Sequence, residues 1–210
     1  MFPSQNPRAR SADLIVHAIS FAGFVAIVPY FLQLAQARPE AGLPLAIAVY
    51  GIAVLSSVAI SGAYHLFPRH ELRPTLRRWD HAAIYPVIAG TFTPLLLMAG
   101  TRSAFAILAV MWLVGAIGIV FKLIATNMDP KWSLASYIGF GAIGLLALPD
   151  FWMQLPRGSM VAIGSGAVFY LIGTWFYRQK QMPFRYPIWH IWGTLGGGSM
   201  AAAIWIALQN

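Results

Sequence analysis

Residues 61–85 read "SGAYHLFPRHELRPTLRRWDHAAIY". The segment lies between two apolar runs and puts Ser61, His65, Asp80 and His81 at their edges. What such placement costs depends on the solvent around the runs. Of the 210 residues, 59% are hydrophobic and 10% charged, whereas a soluble domain has about 45–50% apolar and about 25% charged residues. The composition is that of a membrane protein, and it turns the stretch into a connector between two crossings.

A helical crossing takes about 20 mainly apolar residues. By that measure the sequence predicts seven spans, at 12–35, 43–66, 79–99, 103–124, 132–149, 159–177 and 187–207. They nearly exhaust the chain, so residues 1–210 are read as a single all-α domain, a seven-transmembrane-helix bundle without a separate soluble part. Arg8 and Arg10 precede the first run as in a secretory signal, but the run has full span length and no small-residue cleavage pattern follows it. It is read as a retained span. The chain has no cysteine, which rules out disulfides and thiolate ligands. A metal could be held only through nitrogen and oxygen.

The net charge of +8 divides unevenly among the connectors. Eleven of the 14 Lys and Arg residues fall on one side of the predicted bundle, including Arg69, Arg73, Arg77 and Arg78 between spans two and three and Lys122 and Lys131 between spans four and five. Arg38, Arg102 and Arg157 fall on the other. Because positive connectors stay in the cytoplasm, the N-terminus is expected inside and the C-terminus outside. The basic balance is then topological, with some attraction to anionic lipid headgroups. It forms no single patch of the kind that binds nucleic acid.

In this orientation span two ends near His65, and spans three and seven begin near Asp80 and His190, all on the cytoplasmic side. Ser61 and His65 are four residues apart, as are Tyr186 and His190, so each pair shares a helix face. Asp80 and His81 diverge by about 100°, and the neighbouring Ile84 favours Asp80 as the inward member. His17 in span one lies at the same depth. Ionisable side chains at membrane depth are costly, about 2.5–3.5 kcal/mol for Asp at a helix centre, and face the bundle interior in company. A hydrogen-bonded packing cluster is the simplest account of any one of these residues. The group together also suits a metal, since imidazoles and a carboxylate from separate helices are ligands for Zn²⁺.

The motif Ser61-x-x-x-His65, "RRWDHAAIYPVIAGTFTP" at 77–94, "MPFRYPIWHIWGTLGG" at 182–197 and the opening "ADLIVHAIS" resemble the hemolysin III family, bacterial relatives of the progestin and adipoQ receptors in the wider group that includes alkaline ceramidases. The resemblance covers about residues 11–207. It implies seven spans, a bacterial inner-membrane location and a cytoplasmic-side zinc site. It further implies that His65, Asp80 and His190 are the metal-site residues, with Ser61 as the motif serine. Tyr186 stands where the family has another histidine, and a phenol, ionising near about pH 10, is a weak ligand at neutral pH. The acidic residues expected at the start of span one are missing, with Arg10 and Asp13 in that neighbourhood.

Two arrangements are open. In one, His17, His81 or Asp80 completes a metal shell with His65 and His190. In the other, the recess is metal-free and the Tyr186 hydroxyl joins a hydrogen-bond network. The first leads to a metal-dependent hydrolase of a lipid amide or ester, with Asp80 as general base and Ser61 as donor to the oxyanion. Membrane lipids and a lipid-like substrate or ligand are then the partners. The alternative is a non-catalytic lipid sensor or membrane-homeostasis protein, or a hemolysin-like protein with a degenerate metal site. A water-filled pore is disfavoured, because spans four to six carry little that is polar beyond Ser, Thr and Gly.

Overall fold

Proline and glycine set the boundaries of the helices. A computed structural model of the chain describes residues 1–124 and 130–210, the side chains of 130 and 131 excepted. Eight helices are found among the described residues: α1 (Pro7–Gln36), α2 (Leu43–Leu66), α3 (Arg73–Ala99), α4 (Arg102–Ile124), α5 (Pro130–Leu145), α6 (Leu148–Gln154), α7 (Arg157–Arg178) and α8 (Arg185–Leu208). Asn6 caps α1, its side chain accepting from the Arg8 backbone N–H, and Pro7 follows in the first turn. Gly100 ends α3 in the left-handed region (φ 66°), and Gly42 before α2 has φ 84°. Both conformations suit a residue without Cβ.

Six of these helices are each long and apolar enough to cross a membrane. The bent pair α5 and α6, which meet at 41°, makes a seventh crossing when the two are taken as one span; α5 matches the span expected at 132–149, and α6 runs past its end. Contacts across the bundle give the alternation. At one end, His190 of α8 meets Asp13 of α1, and Lys122 of α4 meets Ser133 of α5. At the other, Ser159 of α7 donates to the Ala203 carbonyl of α8, Thr101 and Ser103 donate to Asp150 of α6, and Arg38 pairs with Glu40 while reaching the Leu208 carbonyl. The starts of α1, α3, α5 and α8 thus share an end with the finishes of α2, α4 and α7. Crossings alternate, and the two termini lie at opposite ends.

The most enclosed crossing is α3, and α4 is the least. Tyr85, Ala89, Phe92, Leu95 and Leu96 of α3 lie in the buried core with Tyr50 and Ile47 of α2 and Met111 of α4. Large apolar residues such as Leu113 and Ile117 of α4 and Val161 and Leu171 of α7 face outward, as expected where the surroundings are lipid. Trp79, Trp132, Trp152 and Trp175 are also exposed near helix ends, the place of an interfacial belt.

The glycine-rich stretches serve close packing in part. A Cβ at Gly196 would stand 2.8 Å from the Tyr170 ring, and one at Gly166 would stand 3.2 Å from the Gly196 carbonyl oxygen. Gly193 and Gly198 face open space. Within 139–147, Gly144 seats the Phe92 ring, while Gly139 and Gly141 are open. One residue departs from the expected layout. Lys122, counted with the connector cations at the end of the span expected at 103–124, lies in the last turn of α4 as that span implies but is buried, 2% exposed, and not at the interface. Lys131, its companion in that count, is outside the described side chains.

The packing makes a direct prediction. Gly196→Ala, by driving a methyl into the Tyr170 ring, will lower stability by about 1–3 kcal/mol. Gly193→Ala will leave it unchanged or raise it slightly, because the added methyl meets nothing and helix propensity improves. Thermal unfolding of the purified protein in detergent, followed by helical circular dichroism, measures both.

Candidate metal centre

Every element of the centre comes from a helix end. Asp13 and His17 are one turn apart near the start of α1, His65 lies in the last turn of α2, and His190 in the second turn of α8. Asp13 is 1% exposed, and its carboxylate is the hub. The His190 Nδ1–H donates to Oδ1 at 2.5 Å, and His65 Nδ1 stands 3.3 Å from Oδ2. His17 donates from Nδ1 to the Asp13 backbone carbonyl at 2.8 Å and lies 3.6 Å from Oδ1. Its ring packs edge-on to that of His190, with centroids 4.5 Å apart.

A hydroxyl layer lies one turn deeper. Ser20 Oγ and Thr194 Oγ1 meet at 2.6 Å, one donating to the other, and the carbonyls of Val16 and His190 lie 2.7 and 2.8 Å from them respectively. This layer ties α1 to α8 directly beneath the histidines. It fixes the backbone from which His190 projects.

The remaining candidates divide around this hub. Ser61 and Asp80 are partly buried and adjacent, and Asp80 stands within charge range of His190, Asp13 and Arg77. Asp80 is nonetheless outside the group whose donor atoms come together. The Tyr186 ring packs edge-on to His65 at 4.9 Å, while its hydroxyl accepts from Arg185 Nη2 at 2.6 Å and so is directed to Arg185. His81 turns to the opposite side of α3. There Tyr137 of α5 donates to its carbonyl, and Arg77 and Lys122 are its charged neighbours. His70 sits in the His70–Leu72 turn, where its ring meets that of Phe2 at 4.8 Å. The adjacent Arg73 donates to the Tyr64 and Phe67 carbonyls and so caps α2.

Asp13, His65 and His190 could hold a metal ion: one donor atom from each lies within 4.8 Å of the others. Two observations support the fit. His65 is 4% exposed, and its Nδ1, though near Asp13, makes no hydrogen bond, so a buried ring nitrogen lacks a partner. A buried polar atom without a partner asks for an explanation, and an ion is one. The donor spacing also approaches what metal binding needs, since ligands about 2.0–2.1 Å from a tetrahedral zinc are roughly 3.4 Å apart. Asp13 was noted in the sequence only as standing near the place where acidic residues were expected. Its spacing of four from His17 is the signal that could have placed it on the inner face.

The arrangement defines a class: a multi-pass membrane protein with a buried carboxylate and histidine centre at one end of its helical bundle. Residues 7–194 match the family described as "Haemolysin-III related". The chain is 28% identical over 193 residues to Hemolysin-3 of Bacillus cereus, covering 90% of this chain and 86% of that protein. It is also 28% identical over 190 residues to the Hemolysin-3 homolog of Bacillus subtilis (strain 168), covering 90% and 88%. The chain belongs to the hemolysin III family.

If the three residues bind a metal, Asp13→Ala, His65→Ala and His190→Ala will each weaken zinc binding at least about tenfold, as even loss of an outer-shell partner can. Tyr186→Phe will leave it within a factor of about two, because its hydroxyl serves Arg185. Elemental analysis of protein equilibrated against graded zinc reads both effects. Equal zinc retention by all four variants would contradict the assignment.

Proposed function

We propose that the protein is a zinc-dependent hydrolase of a lipid amide or ester, with its site on the cytoplasmic side of the bacterial inner membrane. The observation that carries this reading is the buried Asp13, His65 and His190 group, whose two nitrogens and one oxygen suit zinc and leave a position open for chemistry. When bound, zinc polarises a carbonyl and lowers the pKa of water. The protein's own residues do the rest. Asp80, outside the triad but within range of it, takes the proton from the attacking water. Ser61 beside it donates to the carbonyl oxygen as negative charge develops. As the acyl C–N or C–O bond breaks, Asp80 returns the proton to the leaving nitrogen or oxygen. A lipid is the natural substrate, because a centre enclosed by membrane-spanning helices is approached from the bilayer.

Close packing around His65 favours a second reading. The rings of Tyr64, Tyr186 and His190 surround it with centroids 4.8, 4.9 and 4.6 Å away. A centre so enclosed would serve a non-catalytic lipid sensor as a structural metal or polar lock.

Fatty-acid release from an amide- or ester-linked lipid by purified protein separates the two. Under the hydrolase reading, Asp80→Asn will lower the rate by about 10²–10⁴, the usual worth of general acid–base catalysis. Ser61→Ala will lower it by up to about 10²–10³. Both will retain zinc. Release unchanged in Asp80→Asn, or absent from zinc-loaded wild-type protein, would favour the sensor.

The cysteine-free chain allows a test of orientation. A membrane-impermeant maleimide should label Arg102→Cys in intact cells and Lys180→Cys only in inverted vesicles. The reverse pattern would place the centre on the outer side.

A further inference from the structure

Phenols and guanidiniums gather beside the metal centre, toward the ends of its helices. Arg185, the first residue of α8, stands over the Tyr186 ring at 4.4 Å and over the Tyr177 ring of α7 at 5.9 Å, and its Nη2 donates to the Tyr186 hydroxyl at 2.6 Å. Arg77 of α3 lies within charge range of Tyr177, of Tyr64 near the end of α2 and of Asp80. All of these side chains are partly buried. They are neither sealed in the core nor free on the surface.

Their level along the helices gives the group its meaning. Arg185 precedes His190 by five residues, a rise of about 7.5 Å, and Arg77 precedes Asp80 by almost one turn. The Tyr64 and Tyr186 rings rest on His65 with centroids 4.8 and 4.9 Å away, and the Tyr177 ring lies 6.3 Å from that of Tyr186. A rim of donors therefore sits just outside the carboxylate and histidine centre. A guanidinium stacked on aromatic faces keeps in-plane N–H groups for an acceptor, and the phenols add further donors. Such a set suits an anion with several oxygens. Asp80 and Asp13, deeper in the bundle, repel the same anion and so hold it at the rim.

We propose that this rim binds a phosphate-bearing headgroup, and that the ester or amide acted on at the centre belongs to a phospholipid. The inference rests on the hydrolase reading for the bond that is cut, though not for the headgroup contact. Arg185 and Arg77 take the phosphate oxygens, and the Tyr177 ring keeps the Arg185 guanidinium in place. The acyl carbonyl, one glycerol length further in, then reaches the level of His190 and Asp80. A diacylglycerol offers the same carbonyl without the anchor. Arg185 is thus the residue that sets headgroup specificity.

Two lipids without a hydrolysable bond to the chains, ether-linked phosphatidic acid and dialkylglycerol of the same chain length, test this by native mass spectrometry of the full chain in detergent. Wild-type protein will retain the phosphatidic acid at least about tenfold more tightly than the dialkylglycerol. Arg185→Gln will weaken the phosphatidic acid at least about tenfold, the loss of one charge-assisted hydrogen bond, and leave the dialkylglycerol within a factor of about two. Tyr177→Leu, which changes no charge, will weaken the phosphatidic acid about two- to fivefold, the worth of an exposed cation–π contact. Arg8→Gln, which removes an exposed charge from the same end of the bundle, will change neither lipid, and circular dichroism will report the folding of each variant. Equal retention of the two lipids by wild type overturns the proposal, as does undiminished phosphatidic acid retention by folded Arg185→Gln. Equal losses in Arg185→Gln and Arg8→Gln would mark general charge attraction, and displacement by inorganic phosphate at the concentration of the lipid would mark an aqueous anion site. Either result overturns it. With ester-linked phosphatidic acid as substrate, Arg185→Gln will raise KM more than it lowers kcat. Absence of hydrolysis with the headgroup selectivity intact sinks the hydrolase reading alone and leaves a phospholipid-binding recess.

Discussion

A carboxylate in the membrane-embedded part of a helix must be given partners or must cease to be charged. Asp13 is buried on α1, and three imidazoles from three helices are drawn around it. At a helix centre such a residue costs about 2.5–3.5 kcal/mol on insertion. Near a helix end the cost is smaller, but with almost no solvent contact the partners remain necessary. The start of α1, the finish of α2 and the start of α8 are therefore brought to one level. The Ser20 and Thr194 hydroxyls beneath them satisfy the next turn, so the polar region ends within about two helical turns and apolar packing resumes.

Because α3 occupies the middle of the bundle, its first turns form a wall with two faces. Asp80 stands beside Ser61 toward the Asp13 centre, while His81 stands toward α4 and α5. The adjacent residues differ by about 100° in direction. Enclosure of α3 by its neighbours makes that angle consequential, because both side chains are obliged to enter protein. On an outer helix such as α4, one of the two would have met lipid.

Much of this was legible in the sequence, for identifiable reasons. Span length and apolar content dictate the crossings. Of the bent pair α5 and α6, the sequence marked α5 as a span but not the continuation through α6, because Pro149, Asp150 and Gln154 interrupt the apolar run there. His65 and His190 were legible as candidates because an ionisable residue in an apolar run is conspicuous. Asp13 was less conspicuous, being close to Arg8 and Arg10 in a stretch that could pass for a polar flank. Its role depends on where α2 and α8 dock, which no local pattern of α1 contains. Lys122 was assigned to a connector for a similar reason. A lysine at the end of an apolar run usually extends to the interface, and only the packing of α5 against α4 encloses it.

The separation of the two clusters bears on what each is for. Were burial energy the only concern, the buried Lys122 and the buried carboxylate of Asp13 would stabilise the bundle best by pairing. Each would relieve the other's desolvation, and both lie at the same end. Instead α3 stands between them, with histidines around the acid and, among the described residues, the Ser133 hydroxyl on the base. Hydrogen-bonding partners alone satisfy a buried ion less completely than a well-placed opposite charge does. The acid cluster consequently keeps donor atoms from three helices close enough to one another that they could hold a cation. A wall that keeps the lysine away from Asp13 leaves that carboxylate to the histidines, an arrangement that direct pairing with the lysine would have replaced.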